Sequence, residues 1–471
     1  MKRRERCSYE EFVSKKLTRQ PPNGMATVPR LHERLFPHQA DLVRWALRRG
    51  RAAVFADTGL GKTDIQIEWA RCICAETGGS VMILAPLAVA EQTSREARLL
   101  DVTARVVLDQ SGVEPGISIT NYERLHRFDP TKFVGMVADE SSIMKHHDAK
   151  TLARLIEAFE ETAWKLCCTA TPAPNDFTEL GTHAEFLGIC SRAEMLSEFF
   201  CHDGGETQKW RLKGHAKSAF WSWVASWGAL VRKPSDLGHD DSGYALPPLT
   251  VHQHTIPADA ASTQARGLLF ALPAETLMDQ RAARRATVSA RVQKCVELVN
   301  GSADPWVVWC ELNDESVALA AAIDGSVEIT GAQEPDDKRD RMLDFIDGKY
   351  RVLVSKSSIC GFGVNLQRVA RVAFVGIGHS WEAYYQAVRR CWRFGQTRPV
   401  EVHIFSSELE GSIVENLQRK ELDALTMSEE LSRETRDAMR AEVLGAKRVT
   451  NTYDPKLPIA VPSWLVTEPR S

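Results

Sequence analysis

From residue 51 onward the chain alternates two kinds of apolar pattern. Short, nearly continuous runs such as RAAVFAD (51–57), SVMILAP (80–86), FVGMVADE (133–140) and AWKLCCTAT (163–171) are rich in β-branched and small apolar residues. Runs of this kind suit strands buried on both faces. Between them, GKTDIQIEWARCICAE and AVAEQTSREARLL carry the three- and four-residue apolar spacing of helices, and a further helix is expected around 149–160. ARVVL and ISIT add short strands. Strands alternating with helices predict βαβ units and a parallel sheet covered on both faces.

The rhythm breaks at 188–250. This segment holds four of the twelve tryptophans (Trp210, Trp221, Trp223, Trp227), many polar residues and a stop at Pro247-Pro248. It reads as a mostly helical insertion between two units. Phe220, Trp223, Trp227 and Leu230 fall at helical core spacing, so packing is their default role. Lys209, Arg211 and Lys213 beside Trp210 form the alternative, a basic and aromatic surface for nucleic acid. Alternation then resumes with a helix at 284–299 and strands PWVVWC, SVEIT, YRVLVS, RVAFVG and VEVHIF, with helices at 335–347 and 381–393. The expected fold is α/β, with two doubly wound parallel-sheet lobes. Residues 1–29 are a basic extension, 30–187 the first lobe, 188–250 the inter-lobe segment, 251–425 the second lobe and 426–471 a C-terminal extension.

Length agrees, since 471 residues exceed one core at roughly 150 residues per domain. Hydrophobic residues at 44% and charged ones at 26% exclude disorder over most of the chain. No apolar run approaches the roughly 18 residues of a membrane span, and the basic start lacks the apolar core of a signal peptide. A cytoplasmic protein with no membrane contact is expected. Eleven cysteines without a C-x-x-C pair read as reduced thiols. Cys190, Cys201, His202 and His215 match no structural zinc spacing. The net charge of −3 argues against coating nucleic acid by bulk charge. It leaves room for a local basic track, and residues 1–51 hold 13 Lys or Arg against 5 Asp or Glu.

Chemistry enters at Ala56-Asp57-Thr58-Gly59-Leu60-Gly61-Lys62-Thr63, between a strand and a helix. Glycines let backbone N–H groups converge on phosphate oxygens, Lys62 reaches the outer phosphates, and the Thr63 hydroxyl can ligate Mg²⁺. Asp139 and Glu140 end an apolar strand. Together they suit a carboxylate for the metal and a base for water. Thr169-Ala170-Thr171-Pro172 ends another strand. Far downstream, Gln386-Ala387-Val388-Arg389-Arg390-Cys391-Trp392-Arg393-Phe394-Gly395-Gln396 places Arg390 and Arg393 three apart, on one face if the helix continues. Two guanidiniums there would suit a γ-phosphate held by the other lobe.

The series DTGLGKT, DESS, TATP, GFGVNLQ and QAVRRCWRFGQ resembles the motor core of superfamily-two helicases, in particular the Snf-type DNA translocases, over roughly residues 30–425. Gln396 after Gly395 points to that branch. The chain resembles the compact stand-alone forms met in bacteria and phages. The resemblance implies two RecA-like lobes, ATP and Mg²⁺ as cofactors, and DNA, duplex or branched, as partner. It implies that Gln39 in Phe36-Pro37-His38-Gln39 reads adenine and that Asp57, Thr58, Gly59, Leu60, Gly61, Lys62 and Thr63 cradle the phosphates. Thr63 and Asp139 would hold the metal, Glu140 would be the base, Arg390 and Arg393 the fingers, and Gln386 a contact to the γ-phosphate or its water. Gly363 would couple the second lobe to ATP. Pro86, Leu87, Thr120, Asn121 and Asn365 would touch the nucleic-acid backbone. Ser142 stands where the family has His or Asp, which touches the link to TATP. A monomer acting beside replication or recombination factors is expected. Three readings compete: an RNA-acting member, a nucleotide-gated scaffold with little translocation, and a P-loop small-molecule kinase. The last leaves Arg390 and Arg393 unexplained.

Overall fold

The computed structural model describes residues 23–408 except 87–88, 146–148, 174–175, 204–205, 258–283, 361–364 and 379, together with 419, 429, 432–433, 435–437 and 439–444. Helix α1 (Pro37–Arg49) leads into β1 (Arg51–Ala56). The chain continues through α2 (Lys62–Thr77), β2 (Ser80–Leu84), α3 (Ala90–Arg98), β3 (Ala104–Val106), β4 (Ile117–Thr120), β5 (Phe133–Asp139), α4 (Ala149–Ala158) and β6 (Trp164–Cys168). The apolar runs become strands because both of their faces are covered. Val54, Ile83, Val137 and Leu166 lie in one core and Phe55, Met82, Met136 and Cys167 in the other, on opposite sides of one sheet.

The next stretch corrects the mostly helical expectation in detail. After α5 (Leu180–Leu187) and α6 (Arg192–Phe199) comes an antiparallel hairpin of β7 (Phe200–Asp203) and β8 (Glu206–Leu212). Helix α7 (Lys217–Ala225) and β9 (Gly228–Val231) follow. Strand β9 pairs with β1 and forms the edge of a seven-stranded parallel sheet ordered β3-β4-β2-β5-β6-β1-β9. Residues 228–231 therefore complete the first lobe from within the inter-lobe segment. The tryptophans serve packing, as their spacing suggests. Phe220, Trp221 and Trp227 are fully buried and Trp223 packs against them. Each such side chain contributes roughly 1.5–3 kcal/mol by leaving water.

The second lobe runs β10 (Leu249–Ile256), α8 (Val288–Asn300), β11 (Trp306–Cys310), α9 (Asn313–Ala322), β12 (Ser326–Ile329), α10 (Pro335–Ile346), β13 (Val352–Lys356), α11 (Ser357–Cys360), β14 (Arg371–Val375), α12 (Trp381–Arg389) and β15 (Val400–Ser407). Its six strands are all parallel, in the order β10-β15-β14-β11-β13-β12. The molecule is thus built from two RecA-like α/β lobes. Beyond the second lobe the chain returns to the first. Met439 and Val443 are buried in the first lobe's core, Glu442 pairs with Arg49, and Arg440 Nε donates to the Asp236 carbonyl at 2.7 Å. Among the described residues no helix is long and apolar enough to cross a membrane.

Candidate functional site

Strand β1 delivers the chain to the end of the first sheet, where the loop 57–61 turns into α2. Gly59 and Gly61 adopt φ of +95° and +75°, a region that favours glycine. Space demands glycine as well. A Cβ on Gly61 would lie 1.9 Å from Gln39 Nε2, and one on Gly59 would lie 2.7 Å from the Phe394 backbone nitrogen. Gln39 is buried beneath the loop, donating to the Leu60 carbonyl at 3.2 Å and to Asp64 Oδ2 at 3.4 Å. Lys62 Nζ folds back onto the loop, donating to the Ala56 carbonyl at 2.8 Å and the Asp57 carbonyl at 3.4 Å. Burial pushes its pKa down, against the attraction of Glu140, Asp57 and Asp139. Asp57 itself turns to the second lobe, pairing with Arg389 at 2.8 Å, and Arg389 also donates to the Thr58 carbonyl at 3.2 Å.

Asp139 ends β5 and Glu140 follows it, 7% and 4% exposed. Burial and the neighbouring Glu140 raise the Asp139 carboxyl to about 6. Asp139 Oδ1 accepts from Gln66 Nε2 at 2.6 Å, whose buried Oε1 has no partner. Tyr122 donates its hydroxyl to the Asp139 carbonyl at 2.7 Å. Glu140 stands at φ +49°, a strained setting for a non-glycine residue. Its Oε2 accepts from Thr169 Oγ1 at 3.5 Å. Ser142 Oγ is buried without a partner, so the link from the carboxylates to TATP runs through Glu140 and Thr169 instead.

The second lobe closes the site. Arg390 Nη2 donates to Glu140 Oε1 at 3.1 Å and to Gln386 Oε1 at 2.7 Å. Gln386 Nε2 donates to Thr171 Oγ1 at 3.1 Å, and Thr171 donates to Glu382 at 3.2 Å. Glu140, Arg390, Gln386 and Thr171 thus form one chain of contacts across both lobes. Arg393 borders the same cavity with a buried Nε that has no partner, and burial beside Arg390 lowers its guanidinium to about 10. The helix expected over 381–393 ends earlier, at Arg389. Arg390 and Arg393 converge from the turn after α12, not from one helix face. Gln396 holds that turn, donating to the Gln367 and Val369 carbonyls at 2.8 and 2.9 Å.

The resulting cavity, about 480 Å³, is lined by Gln39, Lys62, Thr63, Asp139, Glu140, Arg390 and Arg393. At its other end stand Phe36, Tyr244 and Phe394, with the last two stacked at 4.6 Å. The residues fit a nucleoside triphosphate with Mg²⁺. They offer a glycine cradle, an ammonium and two guanidiniums for phosphate, a hydroxyl and a buried carboxylate for metal, and flat rings for a base.

The residues expected on a nucleic-acid track fare differently. Thr120 and Asn121 are 1% and 5% exposed, and Asn121 Oδ1 caps a short turn by accepting from Arg124 N at 2.9 Å. Both are buried in this arrangement of the lobes. Pro86 supports the start of α3, its carbonyl accepting from Val89 N at 2.9 Å. Asn365 lines the cavity, and its backbone N–H donates to Gln92 of the first lobe at 3.1 Å. Lys213 caps α6, its ammonium on the Ser197 and Glu198 carbonyls at 2.8 Å each. Arg211 is exposed on β8. Leu87, Gly363 and the Lys209 side chain lie outside the described residues.

The sequence reading missed Gln66, Tyr122, Tyr244, Arg389 and Phe394. A signal existed for Gln66, three and four residues beyond Thr63 and Lys62 on one helix face. The others meet the site only through the fold.

Residues 293–395 match the family model of the helicase conserved C-terminal domain. No curated protein matches the chain at the sequence level. Among solved structures it is similar to the Sulfolobus solfataricus SWI2/SNF2 ATPase core in complex with dsDNA. That likeness has 20% identity, covers 90% of this chain and 98% of that chain, and has a TM-score of 0.40. Residues 293–395 thus carry the pattern of a helicase C-terminal domain, and the cleft between this lobe and the first gathers the residue types that a nucleoside triphosphate needs.

Proposed function

We propose that this chain is an ATP-driven DNA motor of the Snf-like superfamily-two type. The observation that carries the reading is the contact of Arg390 with Glu140, which ties the second lobe to the base of the first. In a hydrolytic cycle, Glu140 takes a proton from water as its oxygen attacks the γ-phosphorus. The bond to the β-phosphate oxygen breaks and ADP leaves. Mg²⁺, when bound through Thr63 and Asp139, supplies charge neutralisation on the phosphate oxygens. Lys62, Arg390 and Arg393 stabilise the remaining charge, and Gln386 orients the water. Arg390 has to leave Glu140 for this, so the carboxylate becomes a base only as the guanidinium moves to phosphate. Hydrolysis is thereby linked to lobe movement, the requirement of a translocating motor.

DNA as the track rests on the motif resemblance in GFGVNLQ and QAVRRCWRFGQ. Backbone contacts would make stimulation fall steeply with salt, since released counterions set the affinity. ATPase assays with duplex, single-stranded and forked DNA and with RNA test the proposal. Stimulation by DNA and not by RNA supports it. Stimulation by RNA alone selects an RNA-acting enzyme, and ATP binding with no stimulated turnover selects a scaffold.

A further inference from the structure

Strand β10 is the edge of the second sheet, and its outer half reads H-Q-H at 252–254, while β15 reads E-V-H at 401–403. Alternation puts each pair on one face of its strand. The parallel register sets His252 opposite His403 and His254 opposite Phe405. All four polar residues therefore share one face. The donor atoms of His252, Glu401 and His403 lie within 4.8 Å of one another, with Glu401 Oε2 3.9 Å from His252 Nε2 and 3.6 Å from His403 Nε2. Among the described residues no other group of three His, Cys, Asp or Glu side chains converges in this way, Cys190, Cys201, His202 and His215 included.

His403 is 7% exposed, and its Nε2 is buried with no hydrogen-bond partner. A buried nitrogen left without a partner carries its desolvation penalty uncompensated unless something occupies it. Its other nitrogen, Nδ1, lies 3.0 Å from His254 Nε2. With Nδ1–H donating there, the outer contact that metal-bound imidazoles commonly make, the lone pair of Nε2 is left for an ion held between the ring and Glu401.

We propose that His252, Glu401 and His403 form a site for a zinc-class divalent transition metal. Two imidazoles and one carboxylate, with a fourth position left to water, are a donor set that zinc takes at about 2.0–2.2 Å. Oxygen-seeking Mg²⁺ and Ca²⁺ are poor matches for it. Closing the donors around an ion requires movements of under about an ångström, and His252 at 43% side-chain exposure on an edge strand is free to make them. Arg371 pairs with Glu401 and is the competing cation. It also lies 3.3 Å from Asp304 Oδ2, so it keeps a partner when Glu401 turns to the metal. None of the three ligands lines the nucleotide cavity. The bound ion would clip the first strand of the second lobe to its last.

The test is titration of the chelator-stripped full chain with Co²⁺ and with Zn²⁺. One equivalent of Co²⁺ should bind, giving ligand-field bands without a thiolate charge-transfer band. His252→Gln and His403→Asn should each weaken binding at least about tenfold, with circular dichroism confirming that both fold. Arg371→Gln should tighten it, because the competing cation is gone. Absence of one tight equivalent, a thiolate spectrum, unchanged affinity in His252→Gln, or loss of the equivalent in Asp139→Asn would each overturn the assignment.

Discussion

Asp139 offers a test in which stability and activity move in opposite directions. Its carboxyl is raised from 3.8 to about 6, by burial first and by Glu140 second. The folded state therefore holds this proton more tightly than the unfolded chain does. Between these two values stability falls as pH rises, because the unfolded state gives up its proton first. At ~1.36 kcal/mol per tenfold, the ionised Asp139 destabilises the nucleotide-free fold at neutral pH, by at most about 3 kcal/mol. Asp139→Asn removes the charge and keeps an oxygen that can accept from Gln66. The variant should be more stable than the parent by up to ~3 kcal/mol at about pH 7, with the difference vanishing by about pH 4. Urea unfolding in Mg²⁺-free buffer at the two pH values measures it. Mg²⁺-dependent hydrolysis should be lost in the same variant, the trade expected where a site stores unfavourable charge for function. Equal or lower stability at neutral pH, or retained hydrolysis, would show that Asp139 is an ordinary structural carboxylate and refute the metal reading.

Three further outcomes are expected. Lys62→Ala should weaken binding of a non-hydrolysable ATP analogue, whereas Glu140→Gln should bind it normally and lose turnover; normal turnover in Glu140→Gln removes it as the base. Arg390→Ala and Arg393→Ala should spare nucleotide binding and lower kcat by roughly 10³, about 4 kcal/mol of barrier, and kcat within about threefold of the parent in both would contradict the two-lobe mechanism. Gly59→Ala adds a Cβ 2.7 Å from the Phe394 nitrogen at φ +95°. It should disfavour the closed arrangement by about 1–2 kcal/mol and cut kcat about tenfold or more, an effect that steady-state ATPase assays would detect.

What the sequence made legible follows from how each element is stabilised. β1, β2, β5, β11 and β14 are central strands, and burial on both faces writes them as apolar runs such as AAVFA and RVAFV. β9 is a four-residue edge strand after a tryptophan-rich helix, too short for a periodic signal. The β7–β8 hairpin, FCHD and ETQKWRL, mixes polar residues with Phe200, Trp210 and Leu212 and has no sustained apolar run or alternation. At the site, the loop 56–63 and the Asp139–Glu140 pair were readable because local geometry fixes their residue types. The pairing of Asp57 with Arg389 spans more than 300 residues and depends on how the lobes meet. Likewise Thr120 and Asn121 sit in a recognisable motif, yet only the packing around β4 reveals that they are buried.

The return of the chain to the first lobe bears on how force would be carried. The second lobe is suspended at both ends, by residues 232–248 from β9 and by the segment around Met439 and Val443 docked in the first lobe's core. A body held at two points swings about the line between them instead of drifting on a single cord. Strain between the two lobes would be shared by the two suspensions, and a cut in residues 232–248 would leave the halves joined through the docked C-terminal segment.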